Sequence, residues 1–185
     1  MSEATATSHW SRIVADIPAD PAARKVLDVR PVSDAVSAEI GSRGATDIRV
    51  WDGVEELPED AAGFDLVVCR EALNRTAYPA NFLSRIWAAS AVSATLVIHC
   101  RVMTAPDLSM YARFVDARSG DGEFEWLPGR LAFRWLVETS GFDIDHWIDS
   151  PALEAGPGEG DAYLVASRVA RTPALDFSIP ESRDA

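Results

Sequence analysis

Positive charge is scarce in this chain. Among 185 residues, 17 are Lys or Arg against 29 Asp or Glu, giving a formal net charge of -12, and Lys25 is the only lysine. Nucleic-acid affinity rests on clustered cations that neutralise phosphates, so this composition argues against a nucleic-acid partner. The lysine shortage itself reads as compositional background and decides nothing about function. Cysteine is equally sparse. Cys69 and Cys100 sit in strand-like apolar runs, where buried free thiols are expected rather than a disulfide or a metal site, and a reducing cytoplasm fits. No stretch approaches the ~18 apolar residues of a membrane span, and "MSEATATSHWSRIVADI" lacks the cationic-then-apolar pattern of an export signal. Cys-x-x-Cys, His-Glu-x-x-His, Gly-x-Ser-x-Gly and P-loop patterns are absent, which removes the commonest metal, hydrolase and nucleotide signatures.

What is present is the makeup of a globular domain: 48% hydrophobic and 25% charged residues argue against general disorder. Residues 1–24 read as an extension with a short helix in "HWSRIVADI", ended by Pro18 and Pro21. Residues 25–171 read as one α/β domain, and 172–185 as a loose tail. Within the domain, Val26 to Val29, Ile48 to Trp51, "FDLVVC" and "ATLVIHCRV" are expected strands. Between them lie a helix at Asp34 to Arg43 closed by Gly44, and one whose Phe82, Leu83, Ile86 and Trp87 recur at helical spacing. After a long polar excursion from Met103 to Pro128, a helix at Arg130 to Ser140 is closed by Gly141. "FDIDHWID" and "DAYLVASRVA" then suit an antiparallel hairpin. This alternation predicts a mostly parallel sheet with an antiparallel C-terminal hairpin. The excursion is long for a connection, so a lid or substrate segment is expected there.

The segments "VLDV", "GFDLVVCREALNRTAYPANFLSRIWAASAVSATLVIHC" and "LPGRLAFRWLVETSGFDIDHW" resemble the first, fourth and fifth strands and the late helix of class I S-adenosylmethionine-dependent methyltransferases. The resemblance runs from Lys25 to Val169 and implies a Rossmann-like methyltransferase fold that is one strand-helix unit short. It also implies a cofactor loop of the form Gly-x-Gly-x-Gly, whose places hold Arg30, Val32 and Asp34 here. Val is poor at positive φ, and the β-carbons of Arg30 and Val32 fill space that the cofactor needs. On one alignment Asp52 is the acid near the adenine; on another it is the ribose acid. Glu71 and Leu73 match the helix start after the fourth strand, while Asn74 and Arg75 replace an acid and a histidine.

Asp28, Asp52 and Arg70 are therefore the candidate cofactor-binding residues. His99 and Glu71 are the catalytic candidates, since both end strands at the carboxyl edge of the sheet, where open α/β sheets place ligands, and His titrates near neutrality. The alternatives are a hydrogen-bonded structural role for His99, a surface ion pair of Arg70 with Glu71, and solvated helix-start positions for Asn74 and Arg75. Arg101, Met103, Tyr111, Phe114 and Trp126 either line a substrate pocket or fasten the excursion to the core. No metal site is expected. The leading expectation is a methyltransferase-like protein that has lost conventional S-adenosylmethionine binding, with no cofactor or a weakly held one, acting as a partner subunit or a small-molecule binder. A small-molecule methyltransferase with an aberrant loop, or the same fold repurposed for a cyclisation or isomerisation, are the alternatives. A homodimer or a complex with a full-length methyltransferase is expected through an open edge at Ile48 to Trp51, with Trp51 as apolar surface.

Overall fold

The computed structural model describes residues 25–29, 35–53, 57, 61–116, 124–149 and 158–170. The expected N-terminal helix, the turn at Arg30 to Asp34, residues 150–157 and the tail lie outside them. Eight strands and three helices are described: β1 (Lys25–Val29), α1 (Ala35–Ser42), β2 (Asp47–Trp51), β3 (Phe64–Arg70), α2 (Pro79–Ala89), β4 (Ser90–Met103), β5 (Ala112–Asp116), β6 (Phe124–Pro128), α3 (Arg130–Thr139), β7 (Phe142–Asp149) and β8 (Glu159–Arg168). Six strands form one sheet in the order β2-β1-β3-β4-β8-β7. The first four run parallel, β8 pairs antiparallel with β4, and β7 antiparallel with β8. Among the described residues the sheet ends at β2, as a missing strand-helix unit on that side requires.

Strict alternation along the strands builds two cores. Leu27, Val29, Val67, Cys69, Leu96, Ile98, Cys100, Ala162 and Leu164 face α2 and α3, joining Phe82, Leu83, Ile86, Phe133, Leu136 and Val137. Val26, Leu66, Val68, Val97 and Tyr163 face the other way, under Ile40 of α1. Proline at the first position of α2 presets its φ and needs no amide partner there. Gly141 ends the turn after α3 at φ 90°, and a β-carbon there would lie 2.6 Å from the Trp87 indole nitrogen, so only glycine fits. Cys69 and Cys100 are free and buried, as expected. Burial pushes the Cys69 thiol up to about 12 and the Cys100 thiol well above its usual value, which leaves both without nucleophilic thiolate at neutral pH.

The excursion after Met103 holds structure that the sequence pattern did not indicate: a 3-10 turn at Pro106–Leu108 leads into a hairpin of β5 and β6, with Ala112 opposite Pro128 and Asp116 opposite Phe124. One expectation is corrected. Trp51 is not surface. Its side chain is 5% exposed and stacks on Phe82, ring centroids 5.5 Å apart and planes 12° from parallel, with the Arg85 guanidinium 5.4 Å from its ring. Of the apolar β2 side chains, Val50 is the exposed one. Beside Val50, Tyr78 and Val92, the other exposed large apolar residues described lie at the excursion and α3: Leu108, Met110, Tyr111, Phe114, Leu131 and Trp135.

Candidate functional site

Asp28, Arg70 and His99 lie on the α1 face of the sheet, at its carboxyl edge. Alternation puts them there: Asp28 follows Val26 by two, Arg70 follows Val68, and His99 follows Val97, so each continues a buried row. Register then lines them up, since Arg70 pairs with His99 across β3 and β4, and His99 with Tyr163 across β4 and β8.

Arg70 does not pair with Glu71 at the surface. Its side chain is 2% exposed, and its Nη2 donates to both oxygens of the fully buried Asp28 carboxylate, at 3.1 and 3.0 Å. The Ser37 hydroxyl of α1 donates to the same carboxylate. Strand tip, neighbouring strand and helix are thus joined by one buried charge pair, and the Asp28 charge is met from within the chain. Asp28 is a poor ligand-binding group in this state, because drawing its partner away would strand a buried charge.

Beside this pair, His99 is flanked by acids. Its Nε2 lies 3.1 Å from Asp161 Oδ1, its ring stacks on Tyr163 with centroids 4.6 Å apart, and its Nδ1 lies 3.9 Å from Glu71 Oε1. His99 is buried, whereas the Glu71 side chain is 30% exposed; Glu71 is the member of this group that can meet a ligand. Its backbone holds a left-handed conformation, φ 56° and ψ -4°, uncommon for a non-glycine residue and typical of turns and functional sites. The Glu71 amide donates to the His99 carbonyl at 3.3 Å, and its carbonyl accepts from the Asn74 amide at 3.1 Å.

Asn74 is not a solvated helix start. It is buried in the 3-10 turn Ala72–Arg75, where its amide nitrogen donates to the carbonyls of Arg101 at 3.0 Å and Trp126 at 2.7 Å, and its oxygen accepts from the Arg101 amide at 2.8 Å. It latches the turn after β3 to β4 and to the hairpin. Met103 and Trp126 are buried, whereas Tyr111 and Phe114 are exposed; the five pocket candidates do not share one cavity wall. Arg101 and Arg113 both reach Glu159, Arg101 at 2.8 Å, which ties the hairpin to the start of β8.

A separate cavity of about 230 Å³ opens beside this group. Asp52 and Gly53 line it from beyond the end of β2, Ala72 and Arg75 to Tyr78 from the turn after β3, and Asn81, Phe82 and Arg85 from α2. Asp52 lines this cavity, and Arg75, 3.8 Å from Glu71, connects it to the His99 group. Sequence reasoning missed Ser37, Asp161, Tyr163 and Arg85. Asp161 and Tyr163 were legible only through strand pairing, and Ser37 only through the packing of α1 against β1, which no local pattern states. No group of three or more metal-ligating side chains occurs among the described residues, nor does any helix long and apolar enough to cross a membrane.

No protein-family model and no curated protein sequence matches this chain. Solved structures do. A Listeria monocytogenes chain assigned to the S-adenosylmethionine-dependent methyltransferases superposes with a TM-score of 0.67 at 13% identity, over 88% of this chain and 99% of that one. The [4+2]-cyclase SpnF gives 0.61 at 15% identity, over 89% and 82%. The 1,6-didemethyltoxoflavin-N1-methyltransferase of Burkholderia thailandensis, solved with its substrate and S-adenosylhomocysteine, gives 0.63 at 14% identity, over 89% and 85%. At these identities the likeness is one of architecture: the chain has the fold of the S-adenosylmethionine-dependent methyltransferases.

Proposed function

We propose that this protein has given up conventional S-adenosylmethionine binding and uses the carboxyl edge of its sheet to bind a small molecule. The observation that carries this reading is the buried pair of Asp28 and Arg70. The cofactor's methionine end presents a sulfonium and an ammonium, and the carboxylate at the tip of β1 that would attract them is already neutralised. The replacement of the three loop glycines by Arg30, Val32 and Asp34 points the same way. Calorimetric titration tests it. Neither S-adenosylmethionine nor S-adenosylhomocysteine is expected to bind more tightly than about 1 mM, and a low-micromolar dissociation constant for either would overturn the reading.

A second reading is favoured by Glu71. A strained, part-exposed carboxylate 3.9 Å from an imidazole that is itself held by Asp161 suits proton transfer to or from a bound molecule. Glu71 would exchange the proton with the ligand, and His99 would position it. A structural neighbour of the same fold is a [4+2]-cyclase, which supports a reaction class other than methyl transfer. A cyclisation or isomerisation is the matching reaction class.

The partner reading moves with the apolar surface. The turn at Leu108 to Tyr111 lies on the first turn of α3, where the Gly129 amide donates to the Tyr111 carbonyl at 2.6 Å and the Ala132 amide to the Ser109 carbonyl at 3.0 Å. Six half-exposed side chains of this size present on the order of 500 Å² of apolar surface. That exceeds the few hundred Å² of an ordinary surface patch and approaches the ~800 Å² each partner gives to a standard interface. Arg134 is paired with Glu138 and Arg113 with Glu159, so these charges beside the face are paired locally. We assign this face to a homodimer. Light scattering is expected to give a dimeric mass at micromolar concentration and a monomeric one for Trp135→Arg; a wild-type monomer over a hundredfold concentration range would refute it.

A further inference from the structure

Among the described residues, the cavity beside Asp52 is lined with a charge unlike that of the chain. Acidic residues outnumber basic ones 29 to 17 overall, yet two guanidiniums, Arg75 and Arg85, and one carboxylate, Asp52, are the charged groups among its described lining. Arg85 is laid over the ring of Trp51, which is itself stacked on Phe82, so its planar fork is held in place by the floor of the cavity. Arg75 stands 3.8 Å from Glu71, with the two side chains 40% and 30% exposed. So loose and solvated a pair is worth little, and an incoming acid group displaces it at small cost. Thr76 and Asn81 add hydroxyl and amide groups to the wall, and the exposed Tyr78 stands at the rim.

We propose that this cavity binds a small organic anion, a carboxylate or phosphate monoester on a flat apolar body, with its acid group on Arg75 and Arg85. This inference rests on the small-molecule reading above and names the class of molecule. Its volume, about 230 Å³, lies below the usual 300–1,000 Å³ of drug-sized pockets and so selects a fragment-sized ligand. Asp52 accepts a hydroxyl or amine donor of that ligand and disfavours further negative charge. An acid group on Arg75 also draws that guanidinium off Glu71, whose carboxylate is then left facing His99, so occupancy of the cavity and the state of the acid-base group are linked.

The test uses four matched probes, phenyl phosphate, benzoate, benzamide and benzylamine, titrated into the full chain and followed by backbone amide shifts. Both anions are expected to shift the amides of Gly53 and of Arg75 to Asn81 and to bind at least ~10-fold more tightly than benzamide, with benzylamine weaker still. Arg75→Gln, at a part-exposed position, is expected to fold normally and lose about tenfold in benzoate affinity, the scale of one charged hydrogen bond. Arg85→Lys keeps a cation without the fork and is expected to lose affinity for phenyl phosphate. Glu71→Gln, which removes the competing carboxylate, is expected to bind benzoate at least as tightly as the parent. Equal affinity for benzoate and benzamide, unchanged affinity in Arg75→Gln, or no shift with either anion at about 20 mM would each overturn the proposal. None of those outcomes touches the cofactor titration: failure of the anions with no S-adenosylmethionine binding removes only the ligand class, whereas tight S-adenosylmethionine binding removes the reading beneath it.

Discussion

Arg70→Met is expected to be among the most destabilising single changes on the α1 face. It leaves Asp28, fully buried, with the Ser37 hydroxyl and no counter-charge among the described residues, and breaking one side of a buried ion pair costs about 3–5 kcal/mol. At roughly 2–4 °C per kcal/mol for a chain of this size, the melting temperature is expected to fall by about 10 °C. The comparison that isolates the cause is the double change Arg70→Met with Asp28→Leu. Replacing a whole buried pair by apolar side chains is often close to neutral, so the double variant is expected to recover most of the loss. A single-variant loss under ~1 kcal/mol, in the range of an exposed pair, would show that the pair is not buried in solution.

Asn74→Ala carries the second large effect. It deletes three hydrogen bonds, two to backbone carbonyls and one from the Arg101 amide. Each buried group left unsatisfied costs about 1–3 kcal/mol, and partial solvent entry at the turn brings the expected total to roughly 3 kcal/mol. The effect is local in kind. Because Asn74 holds the Trp126 carbonyl, hydrogen exchange of the β5 and β6 amides is expected to accelerate ahead of the β3 and β4 amides, which lie in the centre of the sheet. Uniform acceleration across both sheets, or none, would mean that Asn74 does not latch the hairpin.

The fold was legible where one pattern decides one element. "FDLVVC" and "ATLVIHCRV" became central parallel strands because a strand buried on both faces reads as a near-continuous apolar run. Phe82, Leu83 and Ile86 became the buried stripe of α2, and Gly141 became its left-handed turn after α3. The hairpin within the excursion was missed, although "SGDG" between "ARFVD" and "FEWLP" is a turn signal flanked by extended residues; the polar side chains hid the alternation. Trp51 was misjudged for a different reason. Its neighbour Val50 is exposed, so Trp51 must face the opposite way, and the partner that buries it, Phe82, lies three elements later.

At the site, the same alternation that identified the strands held information left unused. Extending Leu66 and Val68 by two residues puts Arg70 on a buried row, and extending Val26 puts Asp28 on its neighbour. Opposite charges ending adjacent buried rows are expected to meet, because neither can be buried alone. The proximity of His99 and Glu71 was anticipated from their places at the strand ends. The roles of Asp161 and Tyr163 were not, since they depend on β8 pairing antiparallel with β4 in a register that places Tyr163 opposite His99.

The Asp28 charge is either held by Arg70 or open to a cofactor. The most direct measurement is the side-chain guanidinium spectrum of Arg70 in ¹⁵N-labelled protein, assigned by its loss in Arg70→Met, before and after addition of about 1 mM S-adenosylhomocysteine. A buried, doubly bonded guanidinium is expected to give slowly exchanging Nη signals that do not move on addition of the compound. Signals that exchange with solvent in the free protein, or that shift saturably with S-adenosylhomocysteine, would contradict it.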